Sequence, residues 1–260
     1  MNALASRRRH PAAILLLLLL GLVVTGGLYS LLAPKPAQAA VATADDLTAG
    51  RKLFLANCAT CHGRNAEGGR AGPSLAGVGA ASVDFQVGTG RMPLAGPAVQ
   101  APPGKVSKFT DEQIASLGAY VANLSPGPAV PDGQATKGDG NIARGNQLFK
   151  VNCAMCHNFA GSGGALTRGK YAPSLRDVSG KYIYEAMVTG PQSMPVFNDA
   201  NLSPTDKKDV ISYLHELDKH QNPGGMTLGN LGPVSEGMFV WVFGLGFMIA
   251  AAVWIGAKAA

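Results

Sequence analysis

Two long apolar runs bracket the chain, and a patterned middle lies between them. Pro11 to Ala33 is 23 residues without a charge and includes six consecutive leucines, Leu15 to Leu20. Gly237 to Ala257 is a second uncharged run, of 21 residues, bounded by Glu236 and Lys258. At ~1.5 Å of rise per residue, either run as a helix spans the ~30 Å hydrocarbon layer of a bilayer. Neither carries a polar stripe, and Trp241 and Trp254 stand near opposite ends of the second run, where amphipathic rings favour the membrane interface. Between the runs the apolar period is helical. Ile114, Leu117, Tyr120, Val121 and Leu124 recur at helical spacing behind Thr110-Asp111-Glu112, and Val210, Tyr213, Leu214 and Leu217 do so behind Ser203-Pro204, a cap residue followed by proline at the first helical position.

The middle is a repeat. Gly50 to His62 (GRKLFLANCATCH) and Gly145 to His157 (GNQLFKVNCAMCH) agree at eight of 13 positions. Each is followed by a glycine-rich stretch, then by Pro73-Ser74-Leu75 or Pro173-Ser174-Leu175, then by Met92-Pro93 or Met194-Pro195, and closes on one of the amphipathic segments. Ser125 to Gly133, rich in proline and glycine, reads as a linker between the units, and a stretch from Asn222 to Pro233 reads as another before the last apolar run. The expected organisation is a membrane segment over 11–33, domain 1 over 46–125, a linker over 126–139, domain 2 over 140–220, a linker over 221–236 and a membrane helix over 237–257.

Composition agrees. Only 15% of the 260 residues are charged, against a soluble average of about 25%, while 47% are hydrophobic. Thirty-four glycines and 17 prolines predict that loops outweigh regular structure. The formal charge of +6 would suit nucleic acid, but its location does not. Arg7, Arg8, Arg9 and Lys35 carry the excess, and the two domains are close to neutral, with seven basic and six acidic residues over 45–125 and ten and nine over 132–222. Nucleic acid is therefore excluded as a partner, and a lipid bilayer is expected. The three arginines also resemble a signal n-region, with Ala37-Gln38-Ala39 as a small-residue cleavage site, yet the run exceeds the usual 7–15 residues of a signal core. The reading adopted is a retained anchor, with cleavage as the alternative. Either way the arginines stay in the cytoplasm, residues 35–235 are exported, and the C-terminus returns to the cytoplasm.

All four cysteines sit in two C-x-x-C-H motifs, Cys58-Ala59-Thr60-Cys61-His62 and Cys153-Ala154-Met155-Cys156-His157, the signature of covalent c-type haem attachment. Two thiols three residues apart on one helical turn can each add to one of the two vinyl groups of a haem. The adjacent histidine then lies beneath the iron. A four-cysteine zinc site needs no histidine after each pair, a thioredoxin-like pair needs a βαβ context, and pairs this close make poor disulfide staples. Two covalently bound haem c groups are expected, with Cys58, Cys61, Cys153 and Cys156 as attachment points and His62 and His157 as iron ligands. Met92 and Met194 are the candidates for the opposite axial position, since each precedes a proline that constrains its backbone. His/Met ligation raises a haem's reduction potential and fills both axial sites, which suits electron transfer and excludes peroxide or oxygen chemistry. His215 and His220 are expected to be solvated, Met155 and Met187 to be packing residues, and Phe54, Phe149, Tyr120 and Tyr213 to pack near the haem edges. The Pro73 and Pro173 carbonyls are expected to face the histidine rings and set their tautomer.

These features resemble class I cytochrome c domains. The arrangement of anchor, two haem domains and a C-terminal helix introduced by Leu231-Gly232-Pro233-Val234-Ser235-Glu236-Gly237 resembles the dihaem cytochrome c subunit of actinobacterial cytochrome bcc complexes. The resemblance implies a mainly α fold with two tandem class I domains between membrane helices. It implies a quinol–cytochrome c reductase subunit with a cytochrome b subunit and a Rieske iron–sulfur subunit as partners. Electrons would pass from the Rieske centre to the first haem (Cys58, Cys61, His62, Met92), to the second (Cys153, Cys156, His157, Met194), and on to a cytochrome c oxidase in the same supercomplex. The near-neutral domains agree, because a tethered carrier needs no charged patch for steering. The alternative is a dihaem electron-input subunit of a haem–copper oxidase, against which the second apolar helix counts.

Overall fold

A computed structural model describes residues 11–32, 42–96, 98–104, 107–219 and 233–259. The three N-terminal arginines, the Ala37-Gln38-Ala39 site, His220 and the 221–232 part of the second linker lie outside the described residues. The chain divides into two compact units, residues 1–39 and 40–260.

Helix α1, Pro11–Leu32, makes up the described part of the first unit. Its leucines Leu15 to Leu20 are all more than half exposed. In the second unit, α10 (Pro233–Ala259) has the same character. Mean hydropathy is 2.4 over Ala12–Leu31 and 2.2 over Ser235–Lys258, so both helices are long and apolar enough to cross a membrane.

The repeat folds as two matching helical assemblies. The first comprises α2 (Ala44–Asn57), the single turn α3 (Ala59–His62), α4 (Gly79–Gly88) and α5 (Asp111–Leu124). The second comprises α6 (Ile142–Asn152), the turn α7 (Ala154–His157), α8 (Gly180–Thr189) and α9 (Pro204–Lys219). Helix holds the larger share of the described residues, which corrects the expectation that loops would dominate. Among the described residues ten glycines take positive φ, nearly all of them in the turns between helices, while others, such as Gly50 and Gly145, lie within helices without ending them.

Local signals set the helix starts. Thr43 and Thr110 form reciprocal capping boxes with Asp46 and Gln113, and Ser203 exchanges the same bonds with Asp206 ahead of Pro204. The first helix of each assembly then crosses the last. At the α2–α5 crossing Gly50 lies against the Ser116 backbone, and at the α6–α9 crossing Gly145 lies against the Asp209 backbone, each so close that a Cβ would run into the facing carbonyl. Beside each crossing an aromatic pair closes the core: Phe54 with Tyr120 at 5.3 Å between ring centres and Phe149 with Tyr213 at 5.5 Å, both tilted by 50°. These rings are core members, packed in the first assembly with Leu117 and Val121 and in the second with Ile183, Met187, Val210, Ile211 and Leu214.

The assemblies differ in their loops: the stretch from Met92 to α5 is longer than its counterpart from Met194 to α9, and the second assembly has an insertion of its own. Between His157 and Pro173 the second carries an antiparallel hairpin, β1 (Gly164–Ala165) on β2 (Tyr171–Ala172), with Ala165 opposite Tyr171. The two assemblies meet through α4 and α8, their equivalent helices.

Candidate functional site

Each C-x-x-C-H motif straddles a break between two helices, and the two breaks are the same. The Cys58 N–H donates to the Phe54 carbonyl at 2.8 Å and ends α2, while the Cys58 carbonyl accepts from Cys61 and His62 at 3.2 and 3.0 Å and starts α3. In the second copy Cys153 donates to Phe149 at 2.9 Å and accepts from Cys156 and His157 at 3.1 and 2.9 Å. The chain after the histidine is closed identically, by Gly68 N–H on the His62 carbonyl (2.7 Å) and Gly163 N–H on the His157 carbonyl (2.9 Å).

This closure brings Pro73 and Pro173 under the rings. His62 Nδ1 lies 2.7 Å from the Pro73 oxygen, and His157 Nδ1 lies 2.9 Å from the Pro173 oxygen. A carbonyl only accepts, so Nδ1 carries the hydrogen and Nε2 keeps its lone pair for a metal. His157 is 8% exposed, and burial lowers its pKa, which favours the neutral, ligating form. Burial also raises the pKa of the first cysteine of each motif, Cys58 above its ordinary value and Cys153 up to about 12. A thiol held protonated is a poor thiolate ligand or redox nucleophile and is compatible with addition across a vinyl group. Among the described residues no three His, Cys, Asp or Glu side chains group so as to hold a metal ion. Paired thiols beside a histidine with a free Nε2 fit covalently held haem at both motifs.

The methionines occupy equivalent loops after α4 and α8. Met92 is half-buried and donates its N–H to Gln86 O at 2.9 Å, and Met194 is half-buried against the second core. Met187 is a core residue at 2% exposure, as expected. Met155 is 94% exposed, contrary to the packing role expected of it. The single turn α7 turns Cys153 and His157 inward, so its middle position faces out. His215 is half-buried beside Gly138, not free in solvent.

The contacts between the assemblies escaped the sequence reading. Gln100, in the loop after Met92, accepts from the Tyr171 N–H (2.9 Å) and donates to the Tyr171 carbonyl (2.8 Å). Gln192, just before Met194, does the same to Ala101, both at 3.1 Å. Lys181 of α8 binds Asp84 of α4 at 2.9 Å. No motif announces a glutamine that pairs with backbone 71 or 91 residues away.

A helix-borne C-x-x-C-H turn with its histidine hydrogen-bonded to a proline carbonyl defines a cytochrome c domain, and residues 47–125 match the family described as cytochrome c. Residues 140–214 match the family described as cytochrome C oxidase, cbb3-type, subunit III. Over nearly its whole length the chain is similar to the cytochrome bc1 complex cytochrome c subunits of Mycobacterium leprae (47% identity, 93% of this chain, 86% of the relative) and Corynebacterium efficiens (43%, 92% and 86%). A cbb3-type cytochrome c oxidase subunit FixP of Rhizobium meliloti is 30% identical over only 50% of this chain and 44% of its own length. The chain belongs to the family of cytochrome bc1 complex cytochrome c subunits. It is a haem-bearing electron-transfer protein of a respiratory chain, and the oxidase-subunit alternative is not favoured.

Proposed function

We propose that the chain is the dihaem electron relay of a membrane-bound quinol–cytochrome c reductase, with class I cytochrome c domains over 46–125 and 140–220. Cys58 and Cys61 would hold one haem c and Cys153 and Cys156 another. His62 with Met92 and His157 with Met194 would fill the axial positions. Haem c in such a site supplies a one-electron couple, raised in potential by the thioether ligand. The chain's own part is to fix each imidazole through Pro73 or Pro173, to seat Met194 against a core, and to shield the site with the aromatic pairs. The observation that carries the reading is the exact duplication of the histidine–proline carbonyl bond in two matching loops. The relatives are named as subunits of a bc1 complex, and a cytochrome b subunit and a Rieske subunit would be the partners of this chain. Electrons would enter at domain 1 and leave from domain 2 to a cytochrome c oxidase held in the same supercomplex. Both apolar helices would anchor the chain with its domains on the extracytoplasmic face.

Gentle detergent purification of the tagged chain tests this. Recovery of b-type haem, a Rieske protein and quinol-dependent electron transfer is the expected outcome. Recovery of c-type haem with an oxidase and without quinol oxidation would overturn it in favour of the oxidase-subunit reading.

A further inference from the structure

Glu185 is an anomaly of the domain seam. It lies on α8, is 0% exposed, and among the described residues neither of its carboxyl oxygens has a hydrogen-bond donor to accept from. Its polar neighbour across the seam is the side chain of Asp84, itself an acceptor whose two oxygens already receive Lys181 Nζ at 3.0 and 2.9 Å. Two carboxyl groups brought together in a dry setting cannot both ionise at low cost, and they form a hydrogen bond only when one carries a proton.

Among the described residues the surroundings offer no second cation for that proton's place. Lys181, one turn back on α8, is bound to Asp84. Lys207 of α9 is occupied by Asp199 at 2.7 Å and the Leu202 carbonyl at 2.6 Å, over the Tyr184 ring. Arg91, in the loop after α4, lies over the Phe85 ring at 4.7 Å. Tyr182 fills the rest of the seam, edge-on to Phe85 at 6.2 Å between centres and pressed against Gly88, with Asp111 of α5 adding a further negative charge toward it. Burial first, and Asp84 second, push the Glu185 carboxyl up to about 9.

We propose that Glu185 and Asp84 form a one-proton latch across the seam, Glu185 donating its carboxyl hydrogen to Asp84 while Lys181 neutralises the pair, and that this latch, with the reciprocal amide clamps of Gln100 and Gln192, holds the two domains in a fixed mutual position. Glu185 is a positioning residue, and the latch stands whether or not Met92 and Met194 ligate iron. The sign of its pH dependence follows from linkage. Closed, the seam keeps a proton on Glu185 up to about pH 9; opened, an exposed glutamate releases it near its ordinary 4.5. Between these values each pH unit favours opening by up to tenfold, and above about 9 there is no further change.

The test uses the full, haem-loaded chain in detergent. In infrared difference spectra at pH 7, wild type minus Glu185→Gln is expected to show the carbonyl stretch of a protonated carboxyl, and Asp84→Asn is expected to shift its titration to lower pH. Nitroxides at the exposed Lys52 and Lys150 should report one narrow distance at pH 7 in wild type and in Glu185→Gln, broadening at pH 10 in wild type only. Absence of the band, a titration indifferent to Asp84→Asn, or distances that respond identically to pH in both proteins would overturn the latch. None of these readouts depends on the axial ligand of either haem or on the partners proposed above.

Discussion

At the scale of single residues, the chemistry rests on hydrogen-bond direction more than on residue type. A histidine can ligate through either nitrogen, and the Pro73 and Pro173 carbonyls decide which by taking the Nδ1 hydrogen. The imidazole is thus held in one tautomer with Nε2 outward. In the proposed ligation the methionines are the less constrained half, each on a loop after a helix, so a substitution there would change the ligand without disturbing haem attachment. Met92→His is expected to leave both thioethers of the first site intact and to lower that haem's potential, slowing electron flow through it. Redox titration of the purified protein checks this. An unchanged spectrum and potential would remove Met92 from the ligand set.

At the scale of elements, each domain depends on one helix crossing closer than ordinary side chains allow. Gly50 on α2 and Gly145 on α6 have the Ser116 and Asp209 backbones where a Cβ would go. In an unencumbered helix, alanine is favoured over glycine by about 1 kcal/mol. Here the added methyl forces the helices apart and opens the core around Phe149 and Tyr213. Gly145→Ala is therefore expected to lower the thermal midpoint of the holoprotein and its haem-loaded yield. Gly27→Ala in α1, where a Cβ meets nothing, is the control and should change neither. Thermal melts followed by haem absorbance compare the two. The glycine of each crossing was visible as the first identical position of the repeat. Its role was not, because the backbone it touches lies more than 60 residues further along the chain.

On the scale of the whole molecule, duplication has produced two similar domains joined by dissimilar parts. The hairpin present only in the second assembly carries Tyr171 to Gln100, and the Met92 loop reaches back to Gln192. The seam sets directed polar bonds around a Phe85–Tyr182 ring contact, unlike the apolar cores it separates. The membrane segments lie outside this logic, since α1 and α10 are defined by length and hydropathy alone. Intact-mass measurement of the purified chain is expected to show residues 11–32 retained and two covalent haem additions. A mass beginning at Ala40 would show cleavage of the N-terminal segment, and a single addition would remove one haem site.

Helices, caps, haem motifs and membrane runs were legible in the sequence because each depends on residues within a few positions of one another. The helix starts behind Thr110 and at Ser203-Pro204, the C-x-x-C-H turns and the apolar period of α5 and α9 are of this kind. The outward face of Met155, the half-burial of His215 and the hairpin were not legible, since they follow from which side of a short turn or loop meets the core. The Asp84–Glu185–Lys181 cluster was the least legible of all. A glutamate on an amphipathic helix reads as solvated surface, and only the docking of α4 against α8 removes the water that would have kept it ionised. Sequence alone determined the repeated motif and the family it belongs to, because those rest on residues close along the chain, while tertiary structure decided which polar groups lose their solvent and which residues meet across the seam.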